Sequence, residues 1–536
     1  MKHGWAWALG LLAAMAAALA LRLPQLDRRP MHGDEAVHTI KFDELRRTGS
    51  YHYDPYEYHG PTLYYLTLPS AWLHGGSALS DTAEGTFRIV PVLLGAGLLP
   101  LLWLLRDALG RAATLVAGVL TAVSPALVFY SRYYIQETVL LFFTLLTLAG
   151  GWRYVRSRQP GWAVLTGVGL GAMQATKETC IIVYAAFAGA SLVTYLWERR
   201  AARGTADMAP SRRYGWWKGW VAVVSAAVLT SAILFSAFGT HPRGIVDAWL
   251  AYGTYLDRAG GGIHTHPWYY YLKLLLFTQY VPGPWWSEAL IVGLAAVGTA
   301  AALAGRGGGG GDIRWLRFLA VYTLLLTGLY SAIPYKTPWC MLGFLHGMVL
   351  LAGVGAVALW RAGRRRFGRW ALTLALAAGG AHLARQAYAA GYTYCADPRN
   401  PYVYAQPGFD VVRLGRRVEE LARQHPDGRR MFVRVIASDC WPLPWYFRRL
   451  ERVGYWESVP ADADAPVIVC AAELADKLQP ALRDSYISSF YGLRPDAALL
   501  LYVERGLWEK YLQHGPSGTA PTGKREGGMP KPKAPA

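Results

Sequence analysis

The sequence predicts a polytopic α-helical membrane protein followed by a small soluble domain, on three observations. Of 536 residues, 53% are hydrophobic and only 17% charged, with 22 Trp and 33 Tyr, a balance too apolar and too aromatic for a soluble chain of this length. Apolar runs of about 20 residues, the length a helix needs to cross a bilayer, recur from the N-terminus to about residue 389. Beyond that point the composition shifts, and strand-like and helix-like patterns alternate.

The apolar runs are 4–22, 86–105, 112–130, 137–154, 161–177, 179–197, 219–238, 287–305, 315–333, 338–360 and 370–389, about eleven spans. The first ends in Ala18-Leu-Ala20, as a signal peptide does, but only Lys2 flanks it and it is long enough to span. It reads as a retained helix. The stretch 268–282 is a candidate re-entrant segment or further span. Residues 1–390 thus form a transmembrane domain with a first outer loop at 23–85, and residues 391–514 a separate soluble module. In that module strands are expected near Met431–Ala437 and Val467–Cys470 and helices near Gly408–Gln424 and Ala472–Arg483, which makes it α/β or α+β. The tail 515–536, rich in Pro, Gly, Lys and Thr, is expected to be disordered.

Lys and Arg in short loops stay on the cytoplasmic side. With the N-terminus inside, Arg106/Arg111, Arg153/Arg156/Arg158, Arg199/Arg200/Arg203/Arg212/Arg213, Arg306/Arg314 and Arg361/Arg364/Arg365/Arg366/Arg369 all fall in inner loops nearly devoid of acids. The formal charge of +19 is then topology and attraction to anionic lipid, and needs no nucleic-acid partner. The C-terminal module lies outside. Of five cysteines, Cys180 and Cys340 sit at span ends as buried thiols, while Cys395, Cys440 and Cys470 leave room for one bridge and one free thiol. No Walker A loop, Rossmann fingerprint or HExxH occurs, so ATP-driven transport and zincin chemistry lack support.

The same topology places the unusual polar residues on the outer face. Met31-His-Gly-Asp-Glu-Ala-Val-His38 sets Asp34 and Glu35 just after the first span; Arg132 and Glu137 lie between the third and fourth spans, Lys177 and Glu178 between the fifth and sixth. His264 and His266 follow the seventh, and Lys336 joins the ninth to the tenth. Snorkelling explains single cations at span ends but explains carboxylates poorly. Several ionisable groups converging on one face suggest a water-filled cavity with a function.

These residues carry a resemblance. Gly33-Asp34-Glu35, Tyr58-His59-Gly60-Pro61 before Tyr64-Tyr65, Ser131-Arg132-Tyr-Tyr-Ile-Gln-Glu137, Ala175-Thr176-Lys177-Glu178, His266-Pro267-Trp268-Tyr-Tyr-Tyr271 and Tyr335-Lys336-Thr337-Pro338-Trp339 together resemble the GT-C fold membrane glycosyltransferases. The likeness is greatest to glycosyltransferase family 39, the protein mannosyltransferase and aminoarabinose transferase relatives. It covers about residues 1–410. It implies inverting transfer of a sugar from a polyprenyl-phosphate-linked donor to an acceptor glycan, lipid or protein, at the extracytoplasmic face. Asp34 or Glu35 would draw the proton from the acceptor hydroxyl, and Glu137 would orient Arg132, bind the acceptor or help hold a cation. Arg132, Lys177 and Lys336, with His59 and Tyr335 beside them, would stabilise the leaving lipid phosphate.

Two ambiguities remain open in the residues. Asp34 and His38 are one helical turn apart, and with Glu137 they would suit Mg²⁺ or Mn²⁺; equally, His38 caps or packs on a short amphipathic helix from about Ala36 to Arg47, with Val37, Ile40 and Leu45 toward the membrane. The aromatic stretches 51–58 and 268–271 are either an interfacial belt or sugar contacts. On the second reading Tyr58, Tyr64, His266, Trp268, Tyr270 and Glu178 touch substrate. A non-catalytic transporter or flippase-associated protein that binds lipid-linked sugars is the alternative function, but it requires polar groups through the depth of the bilayer. The topology predicts active alkaline phosphatase fusions after Gly60, Thr265 or Tyr402 and inactive fusions after Arg203 or Arg366, read by colony colour and whole-cell activity; an active Arg366 fusion overturns the arrangement.

Overall fold

The computed structural model describes residues 2–514 except 57, 58, 77, 203–215, 260, 261, 263, 307, 308 and 484. It divides into two compact units, Met1–Phe409 and Asp410–Ala536.

Each apolar run of the first unit falls on helix. Among the described residues seven helices are long and apolar enough to cross a membrane: Trp5–Arg22, Glu84–Leu104, Gln136–Ser157, Cys180–Ala201, Trp217–Phe235, Ile313–Ala332 and Pro338–Ala362. Two more apolar helices, Arg111–Val123 and Ala289–Leu303, are shorter. The run expected to span 112–130 breaks at Ser124, whose side chain caps the following helix Pro125–Tyr130 at the Leu127 amide. A residue before proline is pushed out of the helical region, and this sets the break. Residues 268–282 form no span: a short helix, Tyr270–Leu276, leads into an antiparallel hairpin of β1 (Thr278–Gln279) and β2 (Trp285–Trp286).

The N-terminal helix α1 (Lys2–Arg22) is followed by α2 (Gly33–Thr48), α3 (Thr62–His74) and α4 (Glu84–Leu104). The expected amphipathic helix is α2, one turn longer at its start, and it ends where Gly49 takes a φ of 73°. Its Leu45 does not face the membrane surface. It is buried with Ala36 and Phe42, and the Phe42 ring packs edge-on against Phe87 of α4.

The boundary between the units lies at 409/410 rather than at 390/391. Residues 391–409 belong to the first unit because their polar groups are spent there: the Tyr402 hydroxyl donates to Glu288 (3.0 Å), Gln406 accepts from the Tyr133 hydroxyl (2.5 Å), and the Tyr404 carbonyl meets His32 (3.0 Å).

In the second unit, helix Asp410–Gln424 precedes a five-stranded mixed sheet of order β4-β3-β5-β7-β6. The strands are β3 (Val433–Ile436), β4 (Val453–Trp456), β5 (Val467–Ala471), β6 (Tyr486–Arg494) and β7 (Ala497–Glu504), with helix Arg505–His514 last. β3 runs parallel to β4 and β5, while β7 is antiparallel to β5 and β6. The expected strands are β3 and β5; β4, β6 and β7 are additions. The helix expected at 472–483 is three short turns, 472–474, 475–478 and 479–481. Ile436, Ile468, Cys470 and Tyr502 share one face of the sheet and form a core with Ala463, Ala465 and Leu478. All five cysteines are free thiols, so the bridge left open by the sequence is not formed. The tail 515–536 lies outside the described residues.

Candidate active site

Segments distant in sequence meet at one end of the first unit, and the start of α2 organises them. His32 is its N-cap, in extended conformation, and accepts the Asp34 amide at Nδ1 (3.1 Å), while the Glu35 carboxylate accepts the His32 amide (3.0 Å). This is a capping box with histidine where Ser or Thr is usual. Because Nδ1 is an acceptor, the proton sits on Nε2 and donates to the Tyr404 carbonyl (3.0 Å). The first turn of α2 is thereby fixed to the 402–406 strip.

Glu35 is fully buried, and both its oxygens are saturated. Arg88 of α4 grips it in a fork through Nε (2.8 Å) and Nη2 (2.7 Å); Arg29 Nη2 (3.1 Å) and the Tyr134 amide (2.9 Å) complete the shell. Burial raises the cost of its charge, but Arg88 and Arg29 outweigh that and hold the carboxyl far below the usual glutamate range. Arg29 in turn donates to the Arg132 carbonyl (2.8 Å) and stacks on Tyr133 at 3.4 Å.

Successive helix residues point about 100° apart. With Glu35 locked inward, Asp34 turns elsewhere, and its side chain is 52% exposed. Crowding by protein opposes its ionisation, yet His32, His38, Lys177 and His59 together hold it below the ordinary aspartate value. His38 joins the Tyr64 hydroxyl (2.9 Å), and its ring centroid lies 6.1 Å from that of His59. Burial first, then the neighbouring His59, pushes His38 down to about 3, so it is neutral.

His59 reaches this cluster because Gly60 lies against Ala175: a side chain there would come within 2.2 Å of the Ala175 carbonyl oxygen, which also accepts from the Thr62 amide (3.0 Å). The contact delivers His59 Nδ1 to Glu178 Oε2 (2.8 Å), and the Tyr53 hydroxyl takes the other Glu178 oxygen (2.7 Å). Burial raises Glu178, but His59 and Tyr53 bring it down to about 2. Next along the chain, Lys177 is ion-paired with Glu137. Burial alone would lower the Lys177 ammonium; Glu137 more than offsets it.

The last wall is a pair of extended strips, where Thr265 bridges Tyr335, the Lys336 amide donates to the His264 carbonyl (2.9 Å) and the His266 amide to that of Pro334 (3.1 Å). Lys336 Nζ donates to the carbonyls of His266 (3.1 Å) and Ile333 and has no carboxylate partner among the described residues, and burial lowers its pKa. His264 joins the Tyr404 hydroxyl (2.5 Å) with its ring 5.0 Å from Tyr335, and His266 stacks on Tyr270 at 4.2 Å. Glu137 and Trp339 border a small recess lined otherwise by apolar side chains, Leu140, Leu141, Val183 and Leu342 among them.

Residues 67–243 match the family model described as dolichyl-phosphate-mannose-protein mannosyltransferase. No curated protein matches the chain in sequence. Among solved structures, ArnT from Cupriavidus metallidurans bound to undecaprenyl phosphate superposes with a TM-score of 0.62 at 16% identity, over 95% of this chain and 99% of that one. The Archaeoglobus fulgidus oligosaccharyltransferase superposes with 0.54 at 12% identity, over 94% of this chain and 77% of the other. The fold is GT-C.

On this GT-C frame the sequence-derived residues separate. Asp34, His38, His59, Tyr64, Lys177, Glu178, Glu137, His266, Tyr270, Tyr335 and Lys336 come together. Arg132 does not offer its guanidinium to the cluster: Nη1 donates to the carbonyls of Arg22 (2.6 Å) and Pro24 (2.8 Å) and to Tyr392 (3.0 Å), and Nη2 to Gln25 (3.2 Å). Trp268 is 65% exposed, and Tyr58 lies outside the described residues. As for Mg²⁺ or Mn²⁺, no three described His, Cys, Asp or Glu side chains are grouped so as to hold a metal ion, and His38 is engaged with Tyr64. The donor set of Asp34, His38 and Glu137 therefore does not fit the ion. Sequence reasoning missed His32, Arg29, Arg88 and Tyr404, while Tyr53 falls within the aromatic stretch 51–58 that it named. Arg88 had a signal, a lone cation near the start of an otherwise apolar run.

Removing one partner of a buried pair leaves an uncompensated charge, so Arg88→Met is expected to cost ~3–5 kcal/mol, read as a lowered unfolding midpoint in detergent. Glu35 and Glu178 have depressed folded pKa values. Their contribution is complete above the ordinary glutamate value of 4.5 and is lost as pH falls through the folded values, about 2 for Glu178. In thermal scans from neutral to acid pH, Glu178→Gln removes that share of the acid sensitivity.

Proposed function

We propose that this chain is an inverting glycosyltransferase that moves a sugar from a polyprenyl-phosphate-linked donor to an acceptor hydroxyl at the extracytoplasmic membrane face. The observation that carries the reading is the division between two adjacent carboxylates: Glu35 saturated by cations, Asp34 ionised, half-exposed and within the field of Lys177. An acceptor hydroxyl is a weak nucleophile until its proton is drawn off, and a carboxylate fixed on a locked helix turn suits that task. In the transfer, the acceptor oxygen bonds to the anomeric carbon as its proton passes to Asp34. The bond from that carbon to the phosphate oxygen breaks, and its electron pair leaves with the polyprenyl phosphate.

That departing charge needs fixed cations. Lys336, with no carboxylate partner, is the first; Lys177, shared with Glu137, is the second. The apolar side chains beside Glu137, Leu140, Leu141 and Val183 among them, suit contact with an isoprenoid chain. ArnT was crystallised with undecaprenyl phosphate, and this ligand class agrees with the cations and apolar walls here. Glu35, considered as a base on sequence, becomes the group that positions Asp34, because both its oxygens are already bound by Arg88, Arg29 and two backbone amides. Arg132 likewise becomes a brace. The N-terminus is then cytoplasmic and the second unit extracytoplasmic, in keeping with the basic loops.

The test uses proteoliposomes carrying polyprenyl-phosphate sugars and candidate acceptors. Wild-type protein should release polyprenyl phosphate without ATP, and Asp34→Asn should lower the rate by about 10²–10⁴ while remaining folded. The acid limb of the wild-type profile should fall below the ordinary aspartate value, about 3.9. Lipid that crosses intact, with the Asn protein indistinguishable from wild type, would establish transport instead. A second pair of variants separates brace from phosphate contact. Lys336→Ala should raise the donor KM by the worth of a charge-assisted bond, ~1.5–3 kcal/mol; Arg132→Ala should lower the unfolding midpoint and leave the donor KM of the folded fraction unchanged.

A further inference from the structure

The second unit holds an arginine that nothing in its own fold requires. Arg434 of β3 is 7% exposed, and its Nε and Nη1 have no hydrogen-bond partner. Among the described residues no carboxylate pairs with it, although Asp410, Asp439 and Glu419 of the same unit each hold other arginines. An isolated buried charge is strongly disfavoured unless something answers it.

The surroundings say what would. The β3–β4 register sets Gly454 beside Arg434 and Trp456 beside Ile436. A side chain at Gly454 would lie 2.2 Å from Trp456 Cη2, so the glycine is what lets the indole fold back along the sheet. The Arg434 guanidinium carbon then sits 4.7 Å from the Trp456 ring and 5.3 Å from the Phe432 ring, and the two rings stand nearly perpendicular. Arg452, which just precedes β4, approaches Phe432 at 5.7 Å and likewise has no acidic partner among the described residues. Two guanidinium groups and two aromatic rings thus cluster at β3 and the edge strand β4. The guanidinium fork matches phosphate and carboxylate oxygens, and aromatic faces pack on sugar C–H groups.

We propose that Arg434, with Arg452, Phe432 and Trp456, forms a binding site for the phosphate or carboxylate of an acidic sugar, separate from the transfer centre. The anion is shared by the guanidinium groups of Arg434 and Arg452, and the sugar ring lies against Trp456. This chemistry is shared by a soluble phosphosugar or glycan and by a glycosylated or phosphorylated lipid headgroup.

The test is titration of the full-length protein in neutral detergent with glucose 1-phosphate, inorganic phosphate and glucose, followed by thermophoresis. Binding to vesicles of phosphatidylcholine with and without phosphatidylglycerol forms the lipid arm. Glucose 1-phosphate should bind more tightly than either half alone, and weaken with salt. Arg434→Gln should lose about tenfold or more in affinity, and Trp456→Leu should lose the advantage of the sugar over bare phosphate. Lys336→Ala should bind as wild type does, which separates this site from the transfer centre. Vesicle binding that needs phosphatidylglycerol and Arg434 assigns the lipid source, whereas binding of the soluble probe alone assigns the glycan source. No binding of any probe by wild type, or unchanged affinity in Arg434→Gln, overturns the proposal. Should Arg434→Gln not fold, Arg434→Lys retains the charge but not the fork, and an unchanged affinity there overturns it equally.

Discussion

Everything at the candidate centre depends on one buried carboxylate. Glu35 ties α2 to α4 through Arg88, to the 132–134 turn through the Tyr134 amide, and to the chain entering α2 through Arg29 and the His32 amide. Two arginines against one carboxylate leave the cage net positive, and the surplus is answered by carbonyls: Arg88 also reaches those of Leu26, Arg29 and Pro30, and Arg29 that of Arg132. The pattern continues outward. Arg132 binds the carbonyls of Arg22, Pro24 and Gln25, and Arg22 those of Thr121 and Ala122. Irregular backbone at the end of a membrane span has carbonyls without helical partners. Arginine, with five donors on a rigid plane, can satisfy several of them at once.

This explains what the sequence made legible and what it hid. Gly33-Asp34-Glu35 stood out as an acidic pair after a span, but the pattern could not say which acid is caged and which is left exposed, because the answer lies in Arg88, 53 residues away. Arg132 looked equivalent to Lys336 as a cation at a span end. The difference is three backbone carbonyls that only folding brings to it. His59 and Glu178 were both visible, but their pairing rests on the Gly60–Ala175 approach, a tertiary contact. The spans were legible because hydrophobic length is a local property. Their ends were less so: Ser124-Pro125 broke one run in two, and the strip 391–409 read as soluble from composition while its tyrosines were committed to the helices.

The second unit was the least legible part for a related reason. β5 is a continuous apolar run and β3 is apolar but for Arg434, so both could be found, whereas β4 is Val453-Gly-Tyr-Trp456, an edge strand whose glycine weakens the pattern. That glycine is the residue that lets Trp456 lie over Arg434. The position that obscured the strand is thus the one that shapes its most unusual side-chain arrangement.

A membrane protein with many arginines and few acids offers many apparent cation sites, and charge alone does not separate them. Saturation does. Glu35, Arg88 and Arg132 have their hydrogen-bonding capacity used by the fold, and a group in that state resists both proton transfer and ligand exchange, since either would leave a buried partner unsatisfied. Asp34 is half-exposed, Lys336 binds only neutral carbonyls, and Arg434 has two buried nitrogens unbound. These groups keep capacity that the fold does not consume. The division falls between neighbours in sequence as sharply as between distant residues, because helix geometry turns Asp34 away from the cage that holds Glu35. A rigid turn carrying one saturated and one unsaturated carboxylate fixes the position of the second without neutralising it, which is the condition a general base requires.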